Sequence, residues 1–188
     1  MKALIALCLA FSIVAADAAA NEPPPAEAYR SPASRGVESD TIRIRPRASD
    51  DAMEAEVGAV LDSLHASAAS ADAGTYFSLF TPEATYVGTA VEEVWTLDEF
   101  RRYAAPIFAS GRGWTYRPVR RSVHVSLLGG LAWFEEVLEH DTYGAVRGSG
   151  VLQYMSEGWR IEQYVLSFPV PNEIAGEVTA RIRAADGR

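Results

Sequence analysis

The sequence predicts an α+β domain: about three N-terminal helices packed on a strongly curved, mainly antiparallel sheet with an internal pocket. Three observations lead there. Helical periodicity is confined to the first part of the folding segment, and everything from Trp114 to Phe168 alternates. The stretch from Leu131 to Glu173 then reads as alternating runs divided by turn signals, with a few polar residues on otherwise apolar faces. A small sheet that lines a pocket has that pattern.

The elements follow in order. Ser49-Asp50-Asp51 supplies an N-cap and first-turn acids, and Met53, Val57, Val60, Leu61 and Leu64 recur at helical spacing up to a stop near Asp72-Ala73-Gly74. Thr75 to Phe80 is a short aromatic helical turn closed by Pro82. Ala84 to Gly88 is a brief strand, with Val91 to Trp95 returning beside it. Thr96-Leu97-Asp98-Glu99 is a capping box that starts a third helix, whose buried stripe is Phe100, Tyr103, Ile107 and Phe108. Pro106 kinks or shortens that helix, and Ser110 to Gly113 stops it. Four strands then span roughly 115–127, 131–140, 145–155 and 159–168.

The ends read differently. Met1-Lys2, an apolar run from Ala3 to Val14 and the small residues after it form a secretory signal peptide over 1–20, cut after Ala18 or Ala20. That places the chain in the periplasm or outside the cell. Residues 21–48, with Pro23, Pro24 and Pro25, are a linker too poor in apolar residues to fold; within it Arg43, Arg45 and Arg47 alternate with Ile42, Ile44 and Pro46. The domain is assigned to 49–173 and a C-terminal tail to 174–188. Cys8, the only cysteine, lies in the signal peptide, so the exported chain has neither disulfides nor cysteine chemistry.

Composition excludes several functions. A formal net charge of −8 disfavours nucleic acid and anionic membranes, and no segment after the signal is long and apolar enough to span a bilayer. The three histidines are scattered with no H-x-H or H-E-x-x-H spacing, so no metal is expected. No Gly-rich phosphate loop follows a strand and Gly-x-Ser-x-Gly is absent. No cofactor is expected.

Closing both C-terminal hairpins symmetrically about Asp141–Gly144 and Ser156–Gly158 sets Leu138 against Arg147, and Gly150 against both Glu135 and Val165. The drier face then carries Trp133, Glu135, Gly148, Gly150, Leu152, Tyr154, Trp159, Ile161 and Gln163, and the pocket is assigned to it. His124 joins Glu135 there if Gly129-Gly130 makes a two-residue turn, whereas the apolar pattern of Val123, Val125 and Leu127 points it the other way.

Several stretches now bear comparison with a family. FTPEATYVGT, the Trp95-Thr96 helix start, AWFEE, RGSGVL and GWRIEQYVLSFPVPNE resemble the SnoaL-like branch of the nuclear-transport-factor-2-like superfamily, over about Asp50 to Glu173. The resemblance implies a cone, in which a bent sheet wraps a long helix around a pocket, and a homodimer formed through the outer sheet face. It also implies isomerase, dehydratase, epoxide hydrolase or cyclase activity, or none. A steroid-isomerase set cannot be assigned to these residues, and a water-activating Asp-Arg-Asp set would need Arg147 in the pocket, against the proposed register. Fold alone does not supply an activity.

Glu135 on an apolar concave face is a candidate general base, with His124 as partner. Gln163 would orient a ligand, and Trp133, Tyr154, Tyr76, Trp95 and Tyr103 would enclose it. Glu136 and Arg147 read as a surface ion pair, and His65 and His140 as exposed. The expectation is an exported domain binding a small, mainly apolar ligand. The alternatives are a cofactor-independent isomerase, dehydratase or cyclase using Glu135 and His124, and a dimeric interaction module.

Overall fold

The structure is a computed structural model and describes residues 50–185. The expected signal peptide, its cleavage site and the Pro-rich linker with its alternating arginines lie outside the described residues.

Helix α1 (Asp50–Ala69) opens on Asp50 and Asp51, whose charges suit the positive end of the helix dipole, and buries Met53, Val57, Leu61, Leu64 and Ala68. Asp72 caps the short α2 (Ala73–Ser78) by accepting from the Thr75 amide at 3.0 Å. Strand β1 (Phe80–Val87) begins earlier than the sequence suggested. Pro82 is tolerated because the pairing of β1 with its neighbour is irregular between Phe80 and Thr85. β2 (Val94–Thr96) leads into α3 (Leu97–Ala109), and the Thr96–Glu99 capping box is present. Pro106 lies inside α3, which continues to Ala109; Phe100, Ala104 and Phe108 are buried, while Tyr103 of the expected stripe is exposed.

β3 (Arg117–Val125), β4 (Leu131–His140), β5 (Gly144–Met155) and β6 (Gly158–Ser167) follow, then a 3-10 turn and α4 (Ala175–Ala185), which buries no residue. The six strands form one sheet in the order β2-β1-β6-β5-β4-β3. β1 runs parallel to β6 and all other neighbours are antiparallel. Helices α1 and α3 pack on the sheet around Tyr76, Phe77, Phe80, Phe100 and Phe108, an apolar and aromatic core. No described helix is long and apolar enough to cross a membrane.

The register differs from the expected one, and two glycines explain it. Gly144 has φ 66° and pairs with His140, so the β4–β5 loop has three residues rather than four. Gly158 has φ 109° and pairs with Met155, which shortens the next loop as well. Val137, not Leu138, therefore opposes Arg147, and Gly150 lies between Phe134 and Tyr164. This turns β4 over: Phe134, Glu136 and Leu138 face the helices, and Trp133 and Glu135 face outward. On β6 the pairing skips Glu162 between Ile161 and Gln163, a bulge that lets Trp159 and Ile161 point inward and Tyr164 and Leu166 do so too. Of the face expected to be dry, β5 and the start of β6 are inside as read, but β4 and Gln163 are not.

Candidate functional site

Three elements bring charged side chains together under α1. From β4, Glu136 projects into the interior with its side chain fully buried. His65 of α1 meets it, Nε2 to Oε1, at 2.7 Å, and Tyr164 of β6 donates its hydroxyl to the same oxygen at 3.2 Å. Arg121 of β3 donates Nε–H to the other carboxylate oxygen at 2.9 Å. The same guanidinium reaches Asp62 at 2.8 Å and the Gly58 carbonyl at 3.1 Å, which ties α1 to the sheet. Gly148 makes room for this: a Cβ there would lie 2.5 Å from the Tyr164 hydroxyl and 2.9 Å from Glu136.

The electrostatics follow from the partners. Burial pushes the Glu136 carboxyl up, but the hydrogen bonds and charges of His65 and Arg121 outweigh it and hold it below the ordinary carboxylate value. An ionised carboxylate only accepts, so Nε2 of His65 carries the proton of that contact. Burial, and then the charge of Glu136, pushes the Tyr164 phenol well up.

Beside this cluster is a crevice of about 10 Å³, room for about one water molecule. Leu64, His65 and Ala68 of α1 form one wall, and Tyr76, Tyr86 and Tyr164 the floor. Trp114 and Tyr116, on the connection from α3 to β3, close it; both are half-buried. Tyr76 meets Trp114 edge to face, ring centroids 6.0 Å apart. Burial raises the phenols of Tyr76 and Tyr86, and that of Tyr116 to about 12, so all of them stay protonated at neutral pH. The site thus offers hydrogen-bond donors, an imidazole and aromatic walls. Among the described residues no group of three or more His, Cys, Asp or Glu is placed to hold a metal ion.

Of the residues singled out in the sequence, the structure brings Tyr76 to this crevice. Tyr154 is half-buried against Trp159, ring centroids 5.3 Å apart. Trp95 and Tyr103 stack on each other at 5.0 Å beside Phe100. Glu135 lies on the outer face across from Ser122 and Ser149, with Arg120 at 3.5 Å. His124 is exposed there too, opposite Trp133 and stacked on it at 5.7 Å. Gln163 is exposed opposite Val151.

Two readings are corrected outright. Glu136 is no surface ion pair with Arg147 but the most buried charge described, and its cation is Arg121. His65 is buried rather than on a helix flank. A signal for His65 was present: it follows Leu64 and stands four residues after Leu61, on the rim of the buried stripe. Asp62, three residues before it, then faces the same side. Nothing local in the sequence pointed to Arg121.

Comparison with known proteins agrees with this architecture. A sequence profile described as a SnoaL-like domain matches residues 57–171. A search of curated protein sequences finds no match. Among solved structures, a candidate dehydratase of the NTF2-like family from Streptomyces avermitilis is 18% identical, with TM-score 0.57, covering 65% of this chain and 100% of that one. An NTF2-like protein of unknown function from Pseudomonas putida is 10% identical, with TM-score 0.56, covering 67% and 93%. At such identities the likeness shows the fold alone. With the profile spanning most of the folded residues, the chain belongs to the SnoaL-like domain family.

Proposed function

We propose that this is an exported SnoaL-like domain that binds a small, mainly apolar molecule at the crevice between α1 and the sheet. The observation that carries the reading is the buried Glu136–His65 pair at 2.7 Å beside an aromatic-walled crevice. Buried ion pairs contribute little net stability, and titratable groups held in this way cluster at functional sites. His65 and Tyr76 would fix the polar end of the ligand. The crevice as it stands admits about one water, which suits that polar end alone.

The test is native mass spectrometry of the chain from Ala19 or Asn21 onward, alongside His65→Gln, with thermal shifts against a panel of apolar ketones, alcohols and acids. A small molecule that co-purifies with the unaltered chain and is lost from the variant supports the reading. Clean masses for both and no thermal shift would favour the interaction module instead.

A second reading, a cofactor-independent acid–base enzyme, is favoured by one observation. His65 lines the crevice with its Nε2 held by Glu136, so its imidazole is placed to exchange a proton with a ligand there. This dyad serves that reading better than Glu135 with His124, which share an exposed face and have separate partners. A homodimer is part of the proposal in either case. Leu131 and Trp133 are 41% and 50% exposed on the outer face, and Trp133→Glu should leave a monomer by light scattering.

A further inference from the structure

We propose that Tyr116, His140, Tyr143 and Phe168 form an aromatic track that holds the distal part of the crevice's ligand, and that this ligand is therefore an extended planar ring system. The inference rests on the crevice being the binding site.

The four rings follow one another outward from the crevice. Tyr116 is part of the crevice wall and touches His140, centroids 5.1 Å apart. His140 stacks on Tyr143 at 4.7 Å, and Tyr143 meets Phe168 edge to face at 5.3 Å. Exposure rises along the series: Tyr116 and His140 are half-buried, Tyr143 is 37% exposed and Phe168 45%. The rings come from four separate places: the connection before β3, the end of β4, the β4–β5 turn and the segment after β6.

The track is held in place. His140 Nδ1 accepts amide hydrogens from Thr142 at 3.1 Å and Tyr143 at 3.4 Å, so the ring is fixed to its own turn. Arg117 and Asp141 pair beside it, pinning that turn to β3. Gly144, at φ 66°, closes the turn and sets the direction of Tyr143. Rings fixed in this way lose little freedom when a flat partner stacks on them.

Size points the same way. A crevice with room for about one water accepts a single polar group of a ligand, and the rest must lie outside. The track is an apolar surface continuous with the crevice wall at Tyr116. Stacking favours a planar partner over a compact one, by about two- to tenfold for each well-placed ring.

Two probes that share an acetyl group test it: acetophenone, with one ring, and 2-acetylnaphthalene, with two. Binding is followed by quenching of tryptophan fluorescence in the intact chain and in a Tyr143→Ala, Phe168→Ala double variant. Both altered side chains are substantially exposed, and far-UV circular dichroism confirms that the variant is folded. The expectation is a loss of about tenfold in affinity for 2-acetylnaphthalene in the variant, with acetophenone unchanged. Equal losses for both probes, or none for either, would overturn the track and leave the crevice standing. Failure of both probes to bind the unaltered chain would overturn the crevice reading and the track together. If the variant loses self-association while its probe affinities hold, the rings serve a second copy and the proposal fails.

Discussion

The imidazole of His65 and the carboxylate of Glu136 meet at 2.7 Å although 71 residues separate them in the chain. One is on the long helix and the other on β4, next to the edge strand of the sheet, so the pair fastens the two layers at the site itself. Arg121 repeats the fastening a short way off, reaching from β3 to Asp62 and Gly58 of α1. The functional candidates are thus also cross-braces, and their substitution affects stability.

Glu136→Gln tests this most directly. The amide keeps the shape but leaves Arg121 without its buried counter-charge. Breaking one partner of a buried pair costs about 3–5 kcal/mol, and denaturant unfolding should show a loss of that size. A loss below about 1 kcal/mol would mean that water reaches these groups.

Acid should act through the same residue. His65 and Arg121 hold Glu136 below its ordinary value of 4.5, despite burial. A folded-state pKa below the unfolded one gives stability that is complete above 4.5 and lost as pH falls through the folded value. Unfolding free energy should therefore fall more steeply below about pH 4.5 in the unaltered chain than in Glu136→Gln. Asp72, Glu99 and Asp141 are lowered as well, but they are common to both chains and cancel in the comparison. Parallel curves would remove Glu136 from the explanation.

Alkali should act through the crevice. Burial raises the phenols of Tyr76, Tyr86, Tyr116 and Tyr164 above their ordinary value of 10. Groups raised on folding give stability that is complete below 10 and lost as pH rises through the folded values. Ionisation of these four, read by ultraviolet absorbance, should coincide with loss of near-ultraviolet dichroism. Their full titration in a chain that stays folded would contradict the burial.

Gly148→Ala places a methyl 2.5 Å from the Tyr164 hydroxyl and 2.9 Å from Glu136. Overpacking of this kind costs about 1–3 kcal/mol, and Tyr164→Phe alone about 1–2 kcal/mol. The double variant should cost less than the sum, since removing the hydroxyl relieves the nearest clash. Strict additivity would mean that the strand shifts bodily instead.

Much of the fold was legible because its signals are local. The Thr96–Glu99 capping box, the apolar stripe of α1 and the alternation of four strands each depend on neighbours within a few residues, and each appears where the sequence put it. The site was less legible because it depends on register. Counting Gly144 and Gly158 as turn residues, when each pairs within a strand, moved the strands by one position. That exchanged Glu135 for Glu136 as the inward carboxylate. A carboxylate does stand on the inner face with a glycine opposite, but it is Glu136 with Gly148 and not Glu135. Arg121 and His65 join it only through the folding of distant elements, which no local pattern records.

The extra residue in β6 has a consequence for how this chain tolerates change. Trp159 and Ile161 belong to the packing of the interior, while Tyr164 carries the hydroxyl that meets Glu136, and Glu162 stands between the two groups. Straightening the strand with that residue kept would force a choice, with either the first pair or the last thrown into solvent, whereas deleting it would leave both pairs inside. Loss of residue 162 is therefore a change of length that this strand absorbs, at the cost of the hydrogen bond that the Thr81 hydroxyl gives Glu162 at 2.6 Å.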